Sequence, residues 1–71
     1  MKPLPFREVK RRLEAAGFVE VAQTGSHIKF AKLTSAGTWT ATVPKHSEGA
    51  AGTLRSILRQ AGINADDFEK L

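Results

Sequence analysis

SHIKFAKLTSAGTWTATVP, residues 26–44, contains two runs in which side-chain character alternates from one residue to the next. In the first, Ile28 and Phe30 lie on one side and His27 and Lys29 on the other. In the second, Trp39, Ala41 and Val43 alternate with Thr38, Thr40 and Thr42. A period of two is the mark of half-buried β-strands. The Ser35-Ala36-Gly37 segment between them has the composition of a hairpin turn. A hairpin folded about Ser35-Ala36 sets Ile28 opposite Val43 and Phe30 opposite Ala41, so both apolar rows share one face. The same register places His27 opposite Pro44, at the mouth of a loop carrying Lys45 and His46. The chain's two histidines are therefore expected to be neighbours in space. Trp39 and Phe30 read as core residues.

Working outward from the hairpin, the Val-rich segment from Phe18 to Gln23 predicts a further strand, joined through a tight Thr24-Gly25 turn to a second strand beginning at Ser26. Upstream, PFREVKRRLEAAGF (5–18) has Phe6, Val9, Leu13 and Ala16 at helical spacing, with Pro5 suited to the first turn and Gly17 to the left-handed position after the last. Arg7, Lys10, Arg11 and Glu14 fall on the opposite face. Downstream, the small-residue loop PKHSEGAAG (44–52) leads to a helix over Thr53–Ala61. That helix turns Leu54, Ile57, Leu58 and Ala61 inward and Arg55 and Arg59 outward, and Gly62 follows it. Asn64 then reads as the N-cap of a short terminal helix, with Asp67 at N3 and Ile63 against Phe68 as the hydrophobic staple. The expectation is an α+β fold with the order α-β-β-β-α and a short C-terminal helix. One three-stranded antiparallel sheet with helices on a single face would satisfy every apolar stripe, as a single domain over residues 1–71.

A chain of 71 residues has a small core and little room for a deep pocket. The sequence has no cysteine and no apolar run long enough for a signal peptide or a membrane span, which points to a cytoplasmic protein without a membrane partner. No metal or other cofactor is expected: two histidines nineteen residues apart, without paired carboxylates, make a poor ligand set. The formal net charge of +4 is uneven. Residues 1–17 carry five basic and two acidic side chains, and the C-terminal third is slightly acidic. A basic front and middle suit a polyanion such as nucleic acid, with Arg7, Lys10, Arg11, Arg55 and Arg59 as candidate phosphate contacts. Charge alone fits a solvated basic surface or an acidic partner protein equally well.

With helices on one face of the sheet, His27 and Lys29 stand on the open face among threonines. RNA carries its own nucleophile, the 2′-OH. A protein that cleaves it must supply a base titrating near neutrality, a proton for the leaving oxygen, and positive charge for the phosphorane. Histidine suits the first two tasks, and Lys29 or Lys45 the third. Such cleavage needs no metal and leaves a 2′,3′-cyclic phosphate. Ser26 lacks the third group that a nucleophilic triad requires. An exposed histidine is more often an ordinary surface residue, and the alternative to a nuclease is a non-catalytic RNA-binding module on the same scaffold.

The succession GF (17–18), GSHIKF (25–30), VPKH (43–46), GTLRSILRQAGI (52–63) and DDF (66–68) resembles the HicA (YcfA-like) mRNA interferase toxins of type II toxin–antitoxin modules. The resemblance runs from about Phe6 to Phe68. It implies a fold like the double-stranded RNA-binding domain and an endoribonuclease that cuts mRNA, with His27 as the catalytic residue. Gly25 and Ser26 are then the flanking motif positions, and Pro44 and His46 match a supporting P-x-H element. It also implies a HicB-type antitoxin that covers the toxin in a hetero-oligomer; nothing in the sequence calls for the free toxin to be other than a monomer. The chain departs from many relatives in having Ile28 directly after the G-S-H motif and Ala50-Ala51 where a lysine often precedes the second helix.

Overall fold

The computed structural model describes residues 4–45 and 51–71, the Ala51 side chain excepted. Helix α1 spans Phe6–Ala15, strands β1, β2 and β3 span Val19–Thr24, His27–Thr34 and Gly37–Pro44, and helices α2 and α3 span Ala51–Ala61 and Ala65–Glu69. The strands form one antiparallel sheet in the order β1-β2-β3. This is the α+β arrangement expected from the sequence, with α2 starting two residues earlier.

Two helix ends direct the chain back onto the core. At the end of α1, Gly17 takes φ 101°, its N–H donates to the Glu14 carbonyl at 3.0 Å, and the Phe18 N–H donates to the Leu13 carbonyl at 2.9 Å. At the end of α2, Gly62 takes φ 69°, and the Gly62 and Ile63 N–H groups donate to Arg59 and Leu58. Both are Schellman motifs, in which a left-handed residue satisfies the last carbonyls and returns an apolar residue to the helix. Phe18 and Ile63 are those residues, the first buried and the second packed against the core. At the other end of α1, Pro5 is the N-cap itself, one position before the first helical residue. Asn64 caps α3 as expected: its side-chain oxygen accepts from the Asp67 N–H at 2.8 Å.

The core lies between the sheet and the helices. Val9 and Leu13 of α1, Ile28 and Phe30 of β2, Ala41 and Val43 of β3, Leu54, Ile57 and Leu58 of α2 and Phe68 of α3 are all buried, and no polar side chain is buried with them among the described residues. The β2–β3 register is the expected one, with Ile28 opposite Val43, Phe30 opposite Ala41 and His27 opposite Pro44. On the other side of β2, Val19 faces Ala31 and Glu20 faces Phe30, but Ala22 faces Lys29, so the register shifts by one residue at Val21. This bulge turns Glu20 toward the helix layer, where its carboxylate meets Lys10 Nζ at 3.4 Å.

Two expectations are corrected. The turn between β1 and β2 is Gly25-Ser26, with Thr24 paired to His27. Gly25 has φ 59° and Ser26 does not, the sign pattern of a type II′ hairpin, whose twist matches the flanking strands. Trp39 is on the expected side of β3 but is 43% exposed. It faces Lys32 rather than an apolar residue, and its ring lies over Gly62, where a Cβ would come within 3.0 Å of Cζ3. Trp39 thus caps the end of α2 at the rim of the core.

Candidate active site at the Gly-Ser-His turn

His27 is the first residue of β2, and strand alternation places it on the face opposite Ile28. Its cross-strand neighbours on that face are Thr24 and Pro44, and Lys29, exposed two residues along, lies between Ala22 and Thr42. Pro44 fits because alternate residues of an antiparallel strand turn their N–H groups away from the partner. Thr42 obeys the same alternation: its N–H donates outward to Gln60 Oε1 of α2 at 3.0 Å. The β2–β3 ladder continues past His27, since the Lys45 N–H donates to the Ser26 carbonyl. Lys45 is thereby held alongside the turn. On the other side, Gln23 Nε2 donates to the Gly25 carbonyl at 3.1 Å. A Cβ at Gly25 would meet nothing within 4 Å, so this glycine answers a backbone need and not a steric one.

The structure therefore gathers Gly25, Ser26, His27, Lys29 and Lys45 at one end of the sheet. His46, the other expected neighbour of His27, lies outside the described residues. The helix cations are not part of this cluster. Arg7, Lys10 and Arg11 of α1 and Arg55 and Arg59 of α2 belong to the layer that covers the opposite face. Two of them are already engaged. Arg11 donates to Glu8 at 2.7 and 2.9 Å and to the Leu71 carbonyl at 3.1 Å, while Lys10 pairs with Glu20. The hydrogen bond from Arg11 holds the Glu8 carboxyl below the usual glutamate range, and Glu8 raises Arg11 in turn.

Thr24 and Thr42 are site neighbours that sequence reasoning did not single out. The register that placed His27 opposite Pro44 also puts Thr42 opposite Lys29, so that signal was present. Thr24 required the true position of the first turn. Among the described residues no three His, Cys, Asp or Glu side chains converge as a metal site would require.

The comparisons with known proteins bear on this arrangement. A family model described as the HicA toxin of bacterial toxin–antitoxin matches residues 6–63. The chain belongs to the HicA toxin family. It is therefore a toxin of a toxin–antitoxin system, and a cognate antitoxin is implied. A search of curated proteins finds no match. The HicA match begins with α1 and ends at Ile63, the residue that closes the α2 Schellman motif; α3 lies beyond it. In this chain α3 is nevertheless part of the core. Phe68 is fully buried, the Arg12 guanidinium sits 5.2 Å from its ring centroid, and Arg12 Nη1 donates to its carbonyl at 3.2 Å.

Proposed function

We propose that this HicA-family toxin is an endoribonuclease that cuts mRNA without a metal ion, with His27 as the catalytic residue, and that a HicB-type antitoxin holds it inactive. The observation that carries this reading is the position of His27. It is exposed on the helix-free face, at the turn whose Ser26 carbonyl anchors the backbone of Lys45, with Lys29 beside it. Family membership supplies the context.

In the proposed reaction the His27 imidazole takes the proton of a ribose 2′-OH. The O2′–P bond forms as the P–O5′ bond breaks, giving a 2′,3′-cyclic phosphate and a free 5′-OH. The leaving O5′ takes its proton from an acid on its own side of the phosphorus, a task open to Lys45 or to His46, the next residue in the chain. Lys29 offsets the charge that builds on the non-bridging oxygens. No metal is needed, because the nucleophile belongs to the substrate and the imidazole serves as its base. A HicB-type antitoxin that lays acidic groups over this basic end would block His27 directly.

The test is RNA cleavage in excess EDTA by wild type and His27→Ala, with folding of both checked by circular dichroism. His27 is exposed, so its replacement should change stability by no more than about 0.5 kcal/mol. Cleavage should fall by roughly 10²-fold or more, the scale of a lost general base. Equal cleavage by both chains would move the chemistry to another residue, with His46 the next to replace. RNA binding without cleavage by either would leave a non-catalytic RNA-binding module.

A further inference from the structure

The open face of the sheet extends well beyond His27. From His27 it runs along β2 through Lys29 and Ala31 to Leu33, which is 84% exposed, and along β3 through Thr42, Thr40 and Thr38. From His27 to Leu33 the strand rises about 20 Å at roughly 3.3 Å per residue. Among the described residues the face carries no carboxylate. Glu20, the one acid of the strands, is turned to the helix side by the bulge at Val21 and paired with Lys10; the other described acids belong to α1 and α3. Among the described residues, the ionisable groups of the open face are His27 and Lys29.

We infer that this face is the substrate track, a surface for a single strand of RNA that runs from His27 toward the β2–β3 hairpin. The inference rests on the nuclease reading and names its substrate class. Three features of the face fit such a strand. Threonine hydroxyls spaced along β3 donate to phosphate and ribose oxygens without reading sequence. Lys29, with no described acid beside it on the face, draws the phosphates toward His27. Ala31 and Leu33 offer apolar contact to the faces of unpaired bases. A duplex does not suit the same place. A-form geometry holds each 2′-OH out of line with the P–O5′ bond, and sequence-tolerant contacts on splayed bases require an unpaired strand. On α1 the basic side chains stand among acids and are partly tied to them, Arg11 and Arg12 to Glu8 and Lys10 to Glu20, which makes that helix the poorer seat for a polyanion. Arg55 and Arg59 of α2, a helix without acids, are the competing seat.

The test is the affinity of a fluorescein-labelled, unstructured oligoribonucleotide. It is measured in the His27→Ala background, so that the strand stays intact. It is repeated on otherwise wild-type chains with the 2′-O-methyl strand, so that the result does not depend on one variant's folding. Thr40→Glu puts a carboxylate in the middle of the track, and Thr42→Glu does so one row nearer His27. Each should weaken binding at least 10-fold, whereas Lys70→Glu on the helix layer, a larger change in charge, should weaken it less than 3-fold. Annealing the strand to its complement should also weaken binding. The track is wrong if the two threonine variants lose no more affinity than Lys70→Glu, if Arg55→Glu and Arg59→Glu dominate instead, or if the duplex binds as tightly as the single strand. The two proposals fail separately. Wild-type cleavage that is indifferent to Thr40→Glu sinks the track and spares the nuclease. Binding that follows Thr40 in a chain that cuts nothing sinks the nuclease and spares the track.

Discussion

The two faces of β2 differ in what they ask of their residues. Ile28 and Phe30 are sealed between sheet and helices, while His27 and Lys29, their neighbours in the chain, project from the other face into solvent. The covered face is specified by volume and apolar chemistry, the open face by charge and hydrogen bonding. A single strand thus holds the fold together and presents the candidate chemistry, and the pleat keeps the two tasks apart. The consequence is a sharp asymmetry in how the faces tolerate substitution. Phe30→Ala removes a fully buried ring and should cost about 3–5 kcal/mol, a large part of the total stability of a domain of this size. Lys29→Ala, one residue away, should cost no more than about 0.5 kcal/mol while lowering RNA affinity. Denaturant titration of the two variants checks this. Similar losses at both positions would mean that the open face is also structurally constrained.

A smaller contrast is written in two glycines that share a positive φ. Gly25 has φ 59° and Gly62 has φ 69°, so an alanine at either position is strained, at Gly62 by the left-handed penalty of roughly 1–2 kcal/mol. Their surroundings differ. A Cβ at Gly25 enters open space, whereas at Gly62 it lies 3.0 to 3.2 Å from three atoms of the Trp39 ring. Gly25→Ala should therefore lose only the backbone term. Gly62→Ala should add the clash with Trp39 to its backbone strain and shift the emission of the chain's single tryptophan as the ring is displaced, whereas Gly25→Ala should leave that emission unchanged. Unchanged emission in Gly62→Ala would show that Trp39 does not rest on Gly62 in solution.

The legibility of the molecule in its sequence follows from how local each signal is. The β2–β3 hairpin was readable because alternation and turn composition agree, and one choice of turn aligns both apolar rows. The helices were readable from their stripes and from Gly17 and Gly62. The β1–β2 turn was displaced by one residue because Thr24-Gly25 and Gly25-Ser26 are both acceptable turn pairs, and only the pairing of Thr24 with His27 decides between them. The bulge at Val21 left no local mark, since an extra residue in a Val-rich edge strand offends no pattern. Trp39 was misjudged because alternation reports the face of a strand and not how far along it the helices reach. For the site, the placement of His27, Lys29 and Lys45 at one end of the sheet followed from register, while their selection as candidates came from their chemistry and from the resemblance. The helix arginines were drawn in by charge, a property that composition reports without saying on which layer it lies or which acid already holds it.

That last point gives the smallest expected effect and a direct probe of the helix layer. Arg11 holds the Glu8 carboxylate by two short hydrogen bonds, and Glu8 also sits in the first turn of α1, where the helix dipole favours negative charge. Both effects lower the folded-state pKa of Glu8. Its contribution to stability is therefore fully present above the unfolded-state value and is lost as pH falls through the lower folded value. Wild type should be slightly more stable than Glu8→Gln near neutral pH, and the two should converge in acid, where Glu8 is protonated and resembles the glutamine. Because the pair is exposed, added salt should shrink the difference at neutral pH. Unfolding midpoints of both chains across that pH range, at low and high salt, provide the measurement. No difference at neutral pH would mean that Arg11 is not committed to Glu8 in solution. The guanidinium would then be free for a phosphate, and the helix layer would regain its claim to bind RNA.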